Sequence, residues 1–266
     1  MFIAIVVLIV AVIGAALVIR GVVRRIRWAE RSGQRGVWVL VLVVFLAGLA
    51  VGGFFLGRDL WNGLKPTPEF TLLSEQPDDS LVGTVAFIAT RGDRVCVDVI
   101  SASGRNRREA ACFSATPDYL EWQVDQRLRV LSFGPLERPQ DRWGRIVDVV
   151  TGEVIDVPLA EVPEEGPAVS TSGPLGQVIT SESSGGRLHI DLTADRTTRR
   201  LLSVSAPSTY TVGGFVWSTT GAWFVGKDDL DQVLLVTTAD PSSTRVLAEG
   251  AYAPAVLDVD LLKSAG

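Results

Sequence analysis

His189 is the only histidine in the chain, and it sits in the alternating stretch RLHIDL. A Ser-His-Asp triad would have to use it. Neither a GxSxG elbow nor an SxxK motif accompanies it, so a structural strand histidine is the expectation. Asp228, Asp229 and Asp231, in GKDDLDQ, form the densest carboxylate group. Such groups can hold calcium, or divide acid and base roles across a glycosidic bond. The spacing is not that of a DxDxDG loop, and a solvated turn between strands is the plainer reading. Asp118 with Glu121, and Glu164 with Glu165, are weaker versions of the same pattern. No Gly-rich phosphate loop, dinucleotide fingerprint or Walker A motif occurs. No cofactor is therefore expected, no catalytic constellation is assigned, and a non-enzyme is the favoured reading.

Cys96 and Cys112 are the only cysteines. They stand in consecutive strand-like runs, RVCVDVIS and REAACFS, joined by the turn ASGRN. A hairpin centred on Gly104 puts each cysteine eight residues from its centre, facing the other across the ladder. A non-hydrogen-bonded antiparallel pair brings Cα atoms to ~4.5 Å, within disulfide range. Two free, packed thiols are the alternative. One histidine and two pairing cysteines do not make a zinc site, and without CxxC a redox-active pair is not indicated.

The elements that must carry these residues are strands. From about residue 82 to 260, short runs rich in Val, Ile, Leu, Phe and Thr alternate with turn clusters. GTVAFIAT, RLRVLSF, RIVDVV, EVIDVPL, GQVITSE, AWFVG and VLLVTT are examples. VPEEGPAVSTSGP, residues 162–174, reads as a surface loop. Grouped by spacing, the strands fall into four units. The clearest is residues 215–250, with Trp217, Ser218 and Gly221 in a Trp-Ser-x-x-Gly turn. It resembles a blade of the TolB-like or WD40-like β-propellers. A second unit fits through Trp122 and the Thr151-Gly152 turn, with GPLERPQDRWG as an insertion. Thr219 and Thr220 stand where the family pattern has Pro and Asp. The resemblance covers about residues 82–259 and implies an all-β propeller of about four blades. AYAPAVLDV, residues 251–259, would then complete the N-terminal blade and close the ring, removing open edges. A β-sandwich is the alternative that the same strands allow.

Ahead of this domain stand two uncharged apolar runs, residues 1–19 and 37–57. At ~1.5 Å per residue each can cross a hydrocarbon core of ~30 Å. Between them, residues 20–36 carry Arg20, Arg24, Arg25, Arg27, Arg31 and Arg35 against Glu30. Short arginine-rich loops stay cytoplasmic, so the N-terminus and the β-domain are expected outside. The first run has no basic residue before it, which favours an uncleaved anchor over a signal peptide. Trp28, Trp38 and Trp61 fall near the expected boundaries. Gly48 with Gly52, and Gly53 with Gly57, form two GxxxG pairs in the second run. They would pack the hairpin on itself, or serve a homo-oligomer or a partner helix. Neither run holds an ionisable residue, against a conduit or proton relay. Residues 58–81, with three prolines, read as a juxtamembrane linker; residues 261–266 are a tail.

Charge divides the chain. Residues 1–57 carry net +5, and the remainder has 19 basic and 29 acidic residues, net −10. An acidic domain is poorly suited to nucleic acid. Arginine outnumbers lysine 22 to 3, a bias resembling that of GC-rich bacterial genomes. The expectation is a membrane-anchored extracytoplasmic binding, scaffold or sensor module of the bacterial envelope, with the lipid bilayer and an envelope protein as partners. A carboxylate-based hydrolase of envelope glycans, and an accessory subunit acting through its hairpin, are the alternatives.

Overall fold

The computed structural model describes residues 19–21, 23–24, 35–135, 138–164, 172–240 and 244–262. The expected first span, apart from Ile19, lies outside them, as do Arg25, Trp28, Arg27, Arg31 and Glu165. The chain divides into two units, Met1–Trp61 and Asn62–Gly266.

In the first unit, α1 (Arg35–Gly63) contains the expected run 37–57 and continues six residues past it. Arg58-Asp59-Leu60-Trp61-Asn62 contains no proline, so nothing stops the helix before Gly63 and Pro66. Within α1, Val43–Gly63 is long and apolar enough to cross a membrane, and its most apolar stretch is not buried among the described residues. A Cβ at Gly48, Gly52, Gly53 or Gly57 would meet nothing within 4 Å among the described residues.

The second unit is all-β. Its strands form four antiparallel sheets. The first joins β1 (Thr84–Arg91), β2 (Arg94–Ser101) and β3 (Arg108–Phe113) to the last strand, β15 (Ala251–Leu257). The second runs β4 (Tyr119–Trp122), β5 (Leu128–Ser132), β6 (Trp143–Val147), β7 (Val154–Val157). The third holds β8 (Val178–Ser184), β9 (Arg187–Ala194) and β10 (Thr197–Ser205). The fourth runs β11 (Val212–Trp217), β12 (Trp223–Asp228), β13 (Gln232–Thr237), β14 (Arg245–Glu249). The arrangement is propeller-like. The strand expected to rejoin the N-terminal sheet does so: Thr84 lies opposite Leu257 and Val85 opposite Val256. The Thr84 hydroxyl donates to the Val259 carbonyl at 2.7 Å and accepts from the Leu261 amide at 3.0 Å, which fastens the tail.

Side-chain alternation decides how the sheets stack. Successive residues of a strand point to opposite faces. In β1, Val85, Phe87 and Ala89 enter a core shared with the fourth sheet. Ala86 and Ile88, between them, enter a core shared with the second sheet. The fourth sheet divides likewise: Val225 and Leu235 face the first sheet, and Phe224 and Leu234 face the third. The third sheet is one-sided. Leu188, Ile190 and Leu192 are buried toward the fourth sheet, while His189 and Asp191 lie on the other face with Glu182 and Arg200. Among the described residues no apolar cluster joins the second sheet to the third.

Residues 58–81 are more than a tether. Leu73 donates its amide to Val246 at 2.8 Å, and Val246 donates back to Thr71 at 2.9 Å. The segment thereby adds a parallel bridge to the outer edge of β14. Phe70 and Leu72 pack on the core between the third and fourth sheets, and Leu73 enters the one between the fourth and first. Gly104 lies against Leu73 so closely that a Cβ would sit 2.7 Å from its Cγ, and its φ of +86° suits glycine. Proline hid this from the sequence pattern, because one bridge gives no strand-length run.

Cys96 pairs with Cys112 in the β2–β3 register, Cα atoms 4.0 Å apart, and the two form a disulfide. Their separation of 16 residues gives a contribution of about 3 kcal/mol in the chain-entropy estimate. Reduction should lower the urea unfolding free energy by about that amount. Leu73, 2% exposed, should cost about 2–5 kcal/mol on substitution by alanine. Val124→Ala, at a fully exposed side chain, should stay within about 0.5 kcal/mol.

Candidate functional site

The first or last strand of each sheet forms its inner edge: β15, β4, β8 and β11. β15 contacts β4 and β11, and β11 contacts β8. Two of these strands are bulged. The β11 register slips between Gly213 and Val216, with Gly214 at φ +63°. The β15 register slips opposite Ala86 and Ile88, with Ala253 at φ +48°. Bulges bend a strand and release backbone from the ladder. Both bulges border one cavity of about 600 Å³.

Carboxylates from two sheets reach this cavity. Asp118 and Tyr119 come from the start of β4, and Asp228 and Asp229 from the end of β12; Lys227, Phe215 and Trp217 complete the wall used below. Asp228 is 2% exposed. Its Oδ1 accepts from the Leu230 amide (2.9 Å) and the Gln232 amide (2.8 Å). Its Oδ2 accepts from the Tyr210 hydroxyl at 2.6 Å. Burial, then the hydrogen bond to Asp228, pushes the Tyr210 phenol far above its ordinary value. In this bond the Tyr210 hydroxyl is the donor and the Asp228 carboxylate the acceptor. Asp229 is exposed; it accepts the Thr211 amide at 2.6 Å and the Thr211 hydroxyl at 2.9 Å. Asp118 Oδ2 accepts from the Ser132 hydroxyl (3.0 Å) and the Phe133 amide (2.9 Å).

These bonds explain why the residues gather. Asp228 ties the β12–β13 turn to Tyr210, two residues before β11. Asp229 ties the same turn to Thr211. Asp118 ties the entrance of β4 to the end of β5. Each carboxylate fixes backbone donors that would otherwise lack partners.

Of the residues singled out in the sequence, the structure brings Asp118, Asp228 and Asp229 to one concavity. Asp231 lies beside it, paired with Lys227 at 2.8 Å. Glu121 lies apart, 3.8 Å from Arg129, and Glu164 is a surface residue near Arg142. His189 does not line the cavity; its Nδ1 is buried without a partner among the described residues. The Asp191 carboxyl two residues on is held below its usual range, first by the Arg200 hydrogen bond. Sequence reasoning passed over Tyr119, Tyr210 and Thr211. Pairing β11 against β12 about the Ser218–Gly221 turn would have found the latter two, since Val212 falls opposite Asp228.

No family model matches the chain, and neither does any curated protein. Among solved structures, TolB from Acinetobacter baumannii is similar at 14% identity and TM-score 0.26, over 64% of this chain and 43% of that one. A putative 6-phosphogluconolactonase from Bacteroides uniformis gives 13% and 0.23, over 67% and 55%. The tricorn protease gives 12% and 0.18, over 61% and 20%. The chain thus spans less than two thirds of each, and likeness at these scores carries no argument about activity.

Tyr210→Phe should remove the hydroxyl from a buried carboxylate and cost about 1–3 kcal/mol. The raised phenol contributes stability that is complete below its unfolded value of ~10 and lost as pH rises beyond it. The wild-type chain should therefore lose stability above pH ~10 more steeply than the variant, as read from chemical denaturation at pH 8 and pH 11.

Proposed function

We propose that this chain is a two-pass membrane protein of the bacterial envelope whose β-domain, a ring of about four blades, works outside the cytoplasm as a non-catalytic binding module. The hairpin has its arginine-rich loop inside and anchors the domain. Three features support the reading: the run 37–57 in a helix long and apolar enough to cross a membrane, the arginines of loop 20–36, and a disulfide, which oxidising compartments favour.

The observation that carries the binding role is the cavity where the inner strands meet. Concave sites with apolar walls and a few placed polar groups are where proteins hold ligands. Asp228 uses both oxygens as acceptors within the fold. A general acid or base must exchange protons with its substrate, and a carboxylate fastened to two amides and a phenol is poorly placed for that. It is well placed to hold a wall in shape. The domain is thus a scaffold or a sensor. Its 17-residue loop (20–36) has no room for a signalling domain, so a sensor would work through a second protein.

The hydrolase reading retains one point in its favour: Asp118 and Asp229 share a concavity with Asp228. It requires the Asp118→Asn, Asp229→Asn double variant to lose turnover of envelope glycans. We expect wild type and variant alike to release no reducing ends from such glycans. Orientation is tested separately. A cysteine at Ser32 should resist a membrane-impermeant maleimide in intact cells, while one at the exposed Thr116 should label. Labelling at Ser32 would overturn the topology. For binding, a photo-crosslinking residue at Thr211, on the cavity rim, should give a discrete adduct in cells that one at Asp156 does not.

A further inference from the structure

The unpaired charge on the cavity wall has one sign. Three aspartates and one lysine line it. The lysine is already neutralised: Lys227 Nζ lies 2.8 Å from Asp231 and 6.0 Å from the centre of the Tyr252 ring. Asp228 is saturated by two amides and a phenol. Asp118 and Asp229 are not. Asp118 Oδ1 accepts no hydrogen bond among the described residues, because Ser132 and Phe133 both use Oδ2. Each oxygen of Asp229 accepts one bond, where a carboxylate offers about four lone-pair sites in all. Both residues are exposed and line the cavity. Tyr252 registers the same field: after burial, Asp118 and Asp231 push its phenol upward.

We propose that the cavity binds a cationic group, an ammonium or guanidinium carried on a short aliphatic stem. This rests on reading the domain as a binding module and names its ligand class. Ammonium and guanidinium groups are charged donors without acceptors, which matches the open carboxylate oxygens of Asp118 and Asp229. Tyr119, Phe215 and Trp217 supply apolar surface for the stem and ring faces that attract a cation. An anionic ligand would need a cation not already paired, and Lys227 is paired with Asp231. A neutral sugar would leave the charges of Asp118 and Asp229 without a counter-charge, which a cation supplies. The net −10 of residues 58–266 draws cations toward the domain as a whole. The chemistry has two sources, a basic side chain on a protein or a free polyamine.

The test uses the full chain in detergent micelles, with calorimetric titration by spermidine, by the tripeptide Gly-Arg-Gly, by glutamate and by a neutral trisaccharide. Spermidine or the tripeptide should bind, more weakly as salt is raised, and the other two should not. The tighter of the two cations identifies the source. Asp118→Asn and Asp229→Asn should each weaken binding about tenfold, whereas Asp156→Asn, an equal change of net charge on β7, should leave it unchanged. Lys227→Met should tighten cation binding several-fold, a gain that a folding defect cannot produce. Cation binding insensitive to Asp118 and Asp229, or binding of glutamate or the trisaccharide in its place, would overturn the proposal and leave the binding-module reading standing. No binding by any probe, together with no adduct from the Thr211 crosslinker, would remove that reading as well.

Discussion

Every second side chain of β1 and β12 must find a different apolar partner from its neighbour, and this divides the interior. Val85, Phe87 and Ala89 share a core with Trp223, Val225 and Leu235. Ala86 and Ile88 share another with Leu128 and Val130. A strand buried on both faces cannot tolerate charge at any central position, which is why TVAFIA and QVLLVT read as nearly unbroken apolar runs. Asp98 is the exception, fully buried on β2. It is held by Arg91 and Arg107, and Arg107 in turn stacks 5.0 Å from the Phe87 ring. Removing either arginine would leave that carboxylate incompletely compensated.

The two outer members of the stack answer to a weaker constraint. The third sheet alternates strictly: Arg187, His189, Asp191 and Thr193 against Leu188, Ile190 and Leu192. One face is core and the other is polar. The second sheet covers part of its far face with its own loop, where Gly144 leaves room for Val162 and Leu131. The inner strands are where the four sheets meet, and there continuous pairing gives way to bulges. Small residues at those bulges, Gly213, Gly214 and Ala253, keep side chains out of the space between them. The cavity follows from how the inner strands end their pairing. The acidic residues beside it follow from the turns they brace.

Much of this is legible in the sequence. The strands, the return of the stretch 251–259 to the N-terminal sheet, the Cys96–Cys112 register and the Trp217-Ser218-x-x-Gly221 turn all rest on local pattern. Ser218 is fully buried with its hydroxyl donating to the Trp223 carbonyl, and Gly221 has φ +68°, so the turn residues act as their types suggest. What sequence could not supply was meeting across sheets. Asp118 and Asp229 are far apart along the chain, and each alone looks like a surface turn residue. Leu73, amid prolines and charges, looks like linker, yet it is one of the most buried side chains. Pattern reports which face of an element is apolar. It does not report which other element covers it.

The pairing of β15 with β1 has a consequence for how the domain is made. Thr84 and Val259, hydrogen-bonded in the finished sheet, stand 175 positions apart. The first sheet therefore waits for a strand made after the other three sheets of the domain, and the apolar edge of β1 stays open in the meantime. Contacts this distant in sequence slow folding, and an unpaired strand edge invites aggregation while it waits.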